Sequence, residues 1–112
     1  DTMSTEVETN LRVMLQSQPA NAAGYFAMGL RMAKQNRWPD AHEAFSSASR
    51  LQPTNADYSY NAAVSAQHIG RPALARDLYL RALTHMRTDS LVDRETVLAE
   101  LEKLKNVTGA RP

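Results

Sequence analysis

His42, His68 and His85 are the residues that could bind a metal or move protons near neutral pH. A zinc site needs several such donors brought together, as when two histidines share one helical face in HExxH. Here the three lie far apart, on different predicted helices, so no metal site is expected. There is no cysteine, which removes disulfides and thiolate catalysis. No serine sits in a nucleophile-elbow pattern, and no glycine-rich loop follows a strand to cradle phosphate. Asn106-Val107-Thr108 fits the glycosylation acceptor pattern, a short motif that recurs by chance. The chemistry on offer is recognition by amide, aromatic and aliphatic side chains. No enzyme activity and no cofactor are expected.

The composition agrees with that expectation. A chain of 112 residues is one domain with room for a real core. Its net charge of +1 gives no general pull toward nucleic acid or an acidic membrane surface. No apolar run approaches the roughly 20 residues that span a bilayer, so no direct membrane insertion is expected. The chain starts at Asp1 and shows no signal peptide. It reads as an excised domain or processed product, with anchors and targeting signals lying outside it. Abundant alanine, few glycines and prolines, and no β-branched runs favour helix throughout.

The elements follow from periodicity and punctuation. Asp1 to Ser4 is expected to be a disordered lead. Val7, Leu11, Met14 and Leu15 mark one face of a helix over 5–18 that Pro19 ends. Gln18-Pro19-Ala20-Asn21-Ala22 and Gln52-Pro53-Thr54-Asn55-Ala56 are near copies, set one period of about 34 residues apart. In each, Pro closes one helix and Asn is placed to cap the next. A helix from Ala22 to Gln35 presents Tyr25, Met28, Gly29 and Met32, and Gly29 implies close approach of a neighbour. Asn36 and Gly70 suit left-handed helix ends, and Pro39 and Pro72 suit the first turns that follow. Ala41, Phe45 and Ala48 should face inward, as should Ala75, Tyr79 and Ala82. A helix from Ala56 to Ile69 carries Ala62, Ala63 and Ala66. A last helix to about Asn106, capped by Asp89 or Ser90, should pack through Leu91, Leu98, Leu101 and Leu104, with Val97 beside them. The tail from Gly109 to Pro112 is expected to fray.

Tyr25-x-x-Met28-Gly29-x-x-Met32, then Ala41-x-x-x-Phe45-x-x-Ala48 and Pro53, resembles the tetratricopeptide repeat, a helix–turn–helix unit of about 34 residues. The resemblance implies an all-α, right-handed superhelix of antiparallel helix pairs with about six helices. It divides the single domain 1–112 into a half repeat (5–18), a first full repeat (22–53), a second repeat (56–87) and a capping helix or truncated third repeat (90–106). Ser59 and Arg87 depart from the pattern, where a large aromatic and the closing Pro would stand. Residues 60–70 and 75–83 are also similar to repeats of bacterial proteins that assist pilus assembly and secretion. That similarity implies a bacterial envelope location, periplasmic or membrane-associated through other regions.

In this family the first helix of each pair lines a concave groove that holds a peptide or a partner helix. Carried onto this sequence, the groove side comprises Phe26, Leu30 and Lys34, then Asp57, Tyr60, Asn61, Val64, Gln67 and His68. Either the preceding helix, or a missing upstream repeat, covers Phe26 and Leu30, or a bound peptide contacts them. Asn61 offers a donor and an acceptor, which suits an extended peptide backbone. Phe26 and Leu30 stand where chaperone-binding members need Lys and Asn, which argues against chaperone tails as ligands. The expected function is a protein–protein interaction module with a protein or peptide partner and no nucleic acid. The second reading is a self-assembly module that forms homo-oligomers through its open ends.

Overall fold

Capping residues set the period of the structure. In this computed structural model, which describes residues 2–108, the side chain of Asn21 accepts a hydrogen bond from the Gly24 N–H at 2.9 Å, and Asn55 accepts one from the Tyr58 N–H at 3.1 Å. Each satisfies an N–H that the first turn of a helix leaves without an intrahelical partner. Asn36 and Gly70 both take left-handed conformations, with φ of 60° and 77°. Asparagine tolerates that region and glycine enters it without steric cost. Asn21 and Asn55 start helices, and Asn36 and Gly70 stop them, at points one sequence period apart.

Among the described residues there are six helices and no strand, so the protein is all-α. They are α1 (Thr2–Ser17), α2 (Ala22–Lys34), α3 (Trp38–Leu51), α4 (Ala56–His68), α5 (Pro72–His85) and α6 (Arg94–Thr108). Each packs against the next in chain order. Within the described residues no helix is long and apolar enough to cross a membrane.

Helix α4 holds the centre. Ala62, Ala63 and Ala66 are fully buried, as are Ser59 and Ser65. Small side chains on several faces let α3 and α5 approach its backbone. Phe45 from α3 and Tyr79 from α5 supply the bulk of the core. Burying an aromatic of that size contributes about 2–3 kcal/mol. Gly29 of α2 makes room for Phe45, because a Cβ there would lie 2.5 Å from the ring. The close neighbour expected from sequence is therefore α3.

The two ends differ from expectation. Thr2–Ser4, expected as a disordered lead, are the first turn of α1, where the Ser4 carbonyl accepts from Arg31. Val7 is exposed, and α1 packs through half-buried Leu11, Met14 and Leu15. At the other end, α6 begins at Arg94, later than Asp89 or Ser90 would cap it. The Asp57 carboxylate accepts from the N–H groups of Leu91 at 2.9 Å and Val92 at 3.0 Å, which holds this stretch out of helix. Ser90 accepts instead from the Arg87 N–H. Asp93 becomes the cap, accepting from the Thr96 N–H at 2.7 Å, and this bond lowers its pKa. The inward face is then Val97, Leu101 and Leu104, at i, i+4 and i+7. Leu91 is 85% exposed and Leu98 44%, so neither belongs to it. The expectation for Gly109–Pro112 lies outside the described residues.

The glycines give the first test. Gly29→Ala forces the buried Phe45 ring to move and should cost about 1–3 kcal/mol in urea denaturation. Gly24→Ala meets chiefly the flexible ends of Met14 and Leu15, and should stay within about 0.5 kcal/mol of wild type.

Candidate functional site

The groove residues named from sequence fall on α2 and α4, and the structure accounts for each. Phe26 is half-buried against Tyr58, with ring centroids 4.9 Å apart, and against Phe45 at 5.8 Å. The cover over Phe26 thus comes from the helices that follow, α3 and α4, and not from the preceding helix or an upstream repeat as expected. Leu30 remains 45% exposed and Lys34 is exposed. Val64 is half-buried against the core. Tyr60 packs on Tyr79 with centroids 5.8 Å apart. Burial and the nearby Glu100 and Asp93 carboxylates raise its hydroxyl pKa.

The polar members are engaged within the fold. Asn61 donates from Nδ2 to the Asp57 carbonyl one turn back, at 2.9 Å. Gln67 accepts from the Tyr79 hydroxyl. Burial is the main reason the Tyr79 pKa is raised. His68 stacks flat on Trp38, with centroids 3.7 Å apart and planes 5° from parallel. That stack ties the end of α4 to the start of α3, a contact for which the helical spacing gave no signal.

Three of these residues do meet. Asp57, Tyr60 and Asn61 line an open cavity of about 300 Å³, closed on the far side by Leu91, Val92, Asp93 and Thr96. The acidic walls are engaged by backbone N–H groups, and Leu91 stands at the edge in solvent. Such a site offers an apolar edge, a phenol and an amide, suited to a peptide side chain and its backbone.

A larger cleft, of about 540 Å³, opens between α1 and α3 over α2. Leu15, Tyr25, Met28 and Met32 line it with apolar surface, and Arg12, Asp40 and Glu43 stand among its polar residues. Sequence reasoning missed it, because the packing face of α2 was assigned to the core. The available signal was Ala44, whose counterpart one period later is the bulkier Leu78.

His42 forms a different kind of site. Its Nδ1 lies 2.8 Å from Ser65 Oγ and 3.2 Å from the Ala62 carbonyl, and its Nε2 lies 3.4 Å from Ser46 Oγ. With the proton on Nδ1, the ring donates to α4 and accepts from Ser46. Ser65 is fully buried and its hydroxyl donates to the Ala62 carbonyl at 2.8 Å. The pair joins α3 to α4. Among the described residues, no group of three His, Cys, Asp or Glu side chains could hold a metal ion.

No protein-family model matches the chain, and a search of curated proteins finds no match.

Two measurements follow. Burial, together with the Arg71 charge, lowers the His42 pKa below its ordinary 6.5. Folding then favours the neutral ring, so this contribution is whole above pH 6.5 and declines as pH falls through the folded-state value. Melting temperature should drop between about pH 7 and pH 5, and His42→Gln should flatten that slope. Separately, Asp57→Ala should cost about 1–2 kcal/mol. It should speed amide exchange at Leu91 and Val92 and leave the α2–α3 amides protected.

Proposed function

We propose that this protein is a tetratricopeptide-type interaction module that captures a peptide segment or helix of a partner protein on the α2/α4/α6 face. One observation carries the reading: Tyr60 and Asn61, named from the repeat pattern, line an open cavity on that face beside exposed Leu91. The matched caps and left-handed helix ends, each pair one sequence period apart, support the repeat superhelix. Leu30 and the half-buried Val64 would extend the contact along the groove. Lys34 would tune partner choice at the rim. The similarity of residues 60–70 and 75–83 to bacterial pilus-assembly and secretion repeats favours a partner among the subunits or machine components of such a system.

Self-assembly is the second reading, favoured by α1, where Met3, Val7 and Val13 are exposed. Solution mass across a wide concentration range separates the two. The groove reading expects a monomer throughout, and a partner captured from bacterial lysate by the wild type but lost with Leu30→Asp/Leu91→Asp. Both substitutions fall on exposed positions, so the fold should survive them. A mass that rises with concentration and is unchanged by that variant would sink the groove reading in favour of end-to-end assembly.

A further inference from the structure

The charged side chains that line the cavity beside Tyr60 are Asp57 and Asp93, and both are acidic. The cations near them in the chain are balanced elsewhere. Arg87 is paired with Asp89 at 3.2 Å, and Lys103 with Glu100 at 2.9 Å. Arg94 is exposed, stands outside the lining and is followed by Glu95. Neither of these two forms an ion pair among the described residues. The charges that act on the Tyr60 hydroxyl are those of Glu100 and Asp93, and both raise its pKa. A cation beside that hydroxyl would lower it. The field in the cavity is therefore negative.

The acceptors suit a compact cation. Among the described residues the Tyr60 hydroxyl has no hydrogen-bond partner, and Asn61 uses only Nδ2, on the Asp57 carbonyl. Its Oδ1 is left for a donor. Each carboxylate already accepts from backbone N–H groups: both Asp57 oxygens meet Leu91, and Asp93 Oδ1 meets Thr96. Neither presents two unengaged oxygens side by side, which the planar fork of an arginine requires. An ammonium takes single acceptors from several sides. Leu91 and Val92 offer apolar surface to the methylene stem that carries it.

We propose, resting on the groove reading of this face, that the cavity seats a lysine side chain of the captured partner segment. Its ammonium sits among Asp93, Tyr60 and Asn61, and its stem lies along Leu91 and Val92. An acidic side chain is repelled there, and a neutral one leaves both carboxylates uncompensated.

The test follows the backbone amide signals of the protein by NMR during titration with acetyl-Ala-Lys-Ala-amide. Parallel titrations use the same peptide with Arg, Gln or Glu in the central place. The lysine peptide should shift the amides of Asn61, Leu91, Val92 and Thr96 saturably at millimolar concentration. The arginine peptide should bind more weakly, and the other two should leave those amides unmoved. Asp93→Asn keeps an oxygen to cap α6 but loses the charge, and should weaken the lysine peptide about fivefold. Tyr60→Phe keeps the ring on Tyr79 and should also weaken it. Equal shifts with the lysine and glutamine peptides would overturn the proposal. So would equal or tighter binding of the arginine peptide, wild-type affinity in Asp93→Asn, or no saturable shift at those amides. The groove reading has a separate readout, the lysate capture and its loss in Leu30→Asp/Leu91→Asp, so it stands or falls independently of the peptide result. A protein mass that rises with concentration in the absence of peptide and returns to monomer in Asp93→Asn would overturn the proposal in favour of a lysine from a second copy.

Discussion

Close approach of helices over small side chains is the constraint on which this fold depends. A helix can be packed on several sides at once only if its own side chains leave room. Helix α4 meets that condition with Ala62, Ala63, Ala66, Ser59 and Ser65, all fully buried. Phe45 and Tyr79 then enter from its two neighbours. The same rule at Gly29 lets the Phe45 ring lie against the α2 backbone. Removing side-chain volume from one helix is what lets the next place an aromatic there. The contact of His42 with Ser65 and Ala62 adds direction to this apolar packing, because hydrogen bonds hold α3 and α4 in one register.

The two helix pairs solve the volume problem in opposite ways. In the second, α4 is small and α5 is large, with Leu74 and Leu78 facing in. In the first, α2 carries Tyr25, Met28 and Met32, while α3 carries Ala44. Because α1 packs through half-buried residues and buries no side chain fully, the space beside it stays open. Two pairs with the same punctuation thus produce one closed seam and one cleft. On the opposite side, the carboxylate of Asp57 pulls the chain after α5 against α4 and delays the start of α6. That delay leaves Leu91 in solvent and shapes the cavity beside Tyr60 and Asn61. Both candidate surfaces arise where single residues break the likeness of the elements, Ala44 in one case and Asp57 in the other.

The sequence by itself determined the all-α class, the number of helices and nearly all of their ends. Those features depend on Pro19, Pro39, Pro53 and Pro72, on the caps Asn21 and Asn55, and on the left-handed positions Asn36 and Gly70. Each acts through backbone geometry or a hydrogen bond to a near neighbour in the chain, so it is visible in a short window. The inward faces of α3 and α5 were legible for a related reason. Ala41, Phe45, Ala48, Ala75, Tyr79 and Ala82 follow helical spacing and are all buried. The tertiary structure alone decided how the candidate surfaces are occupied. Phe26 is covered by Tyr58, Gln67 is bonded by Tyr79, and the exposed His68 is stacked on Trp38, each partner standing on a different helix. The start of α6 likewise rests on Asp57, two helices upstream. Such contacts depend on side-chain volumes and charges summed across two or three helices. Periodicity within one helix carries no record of that sum.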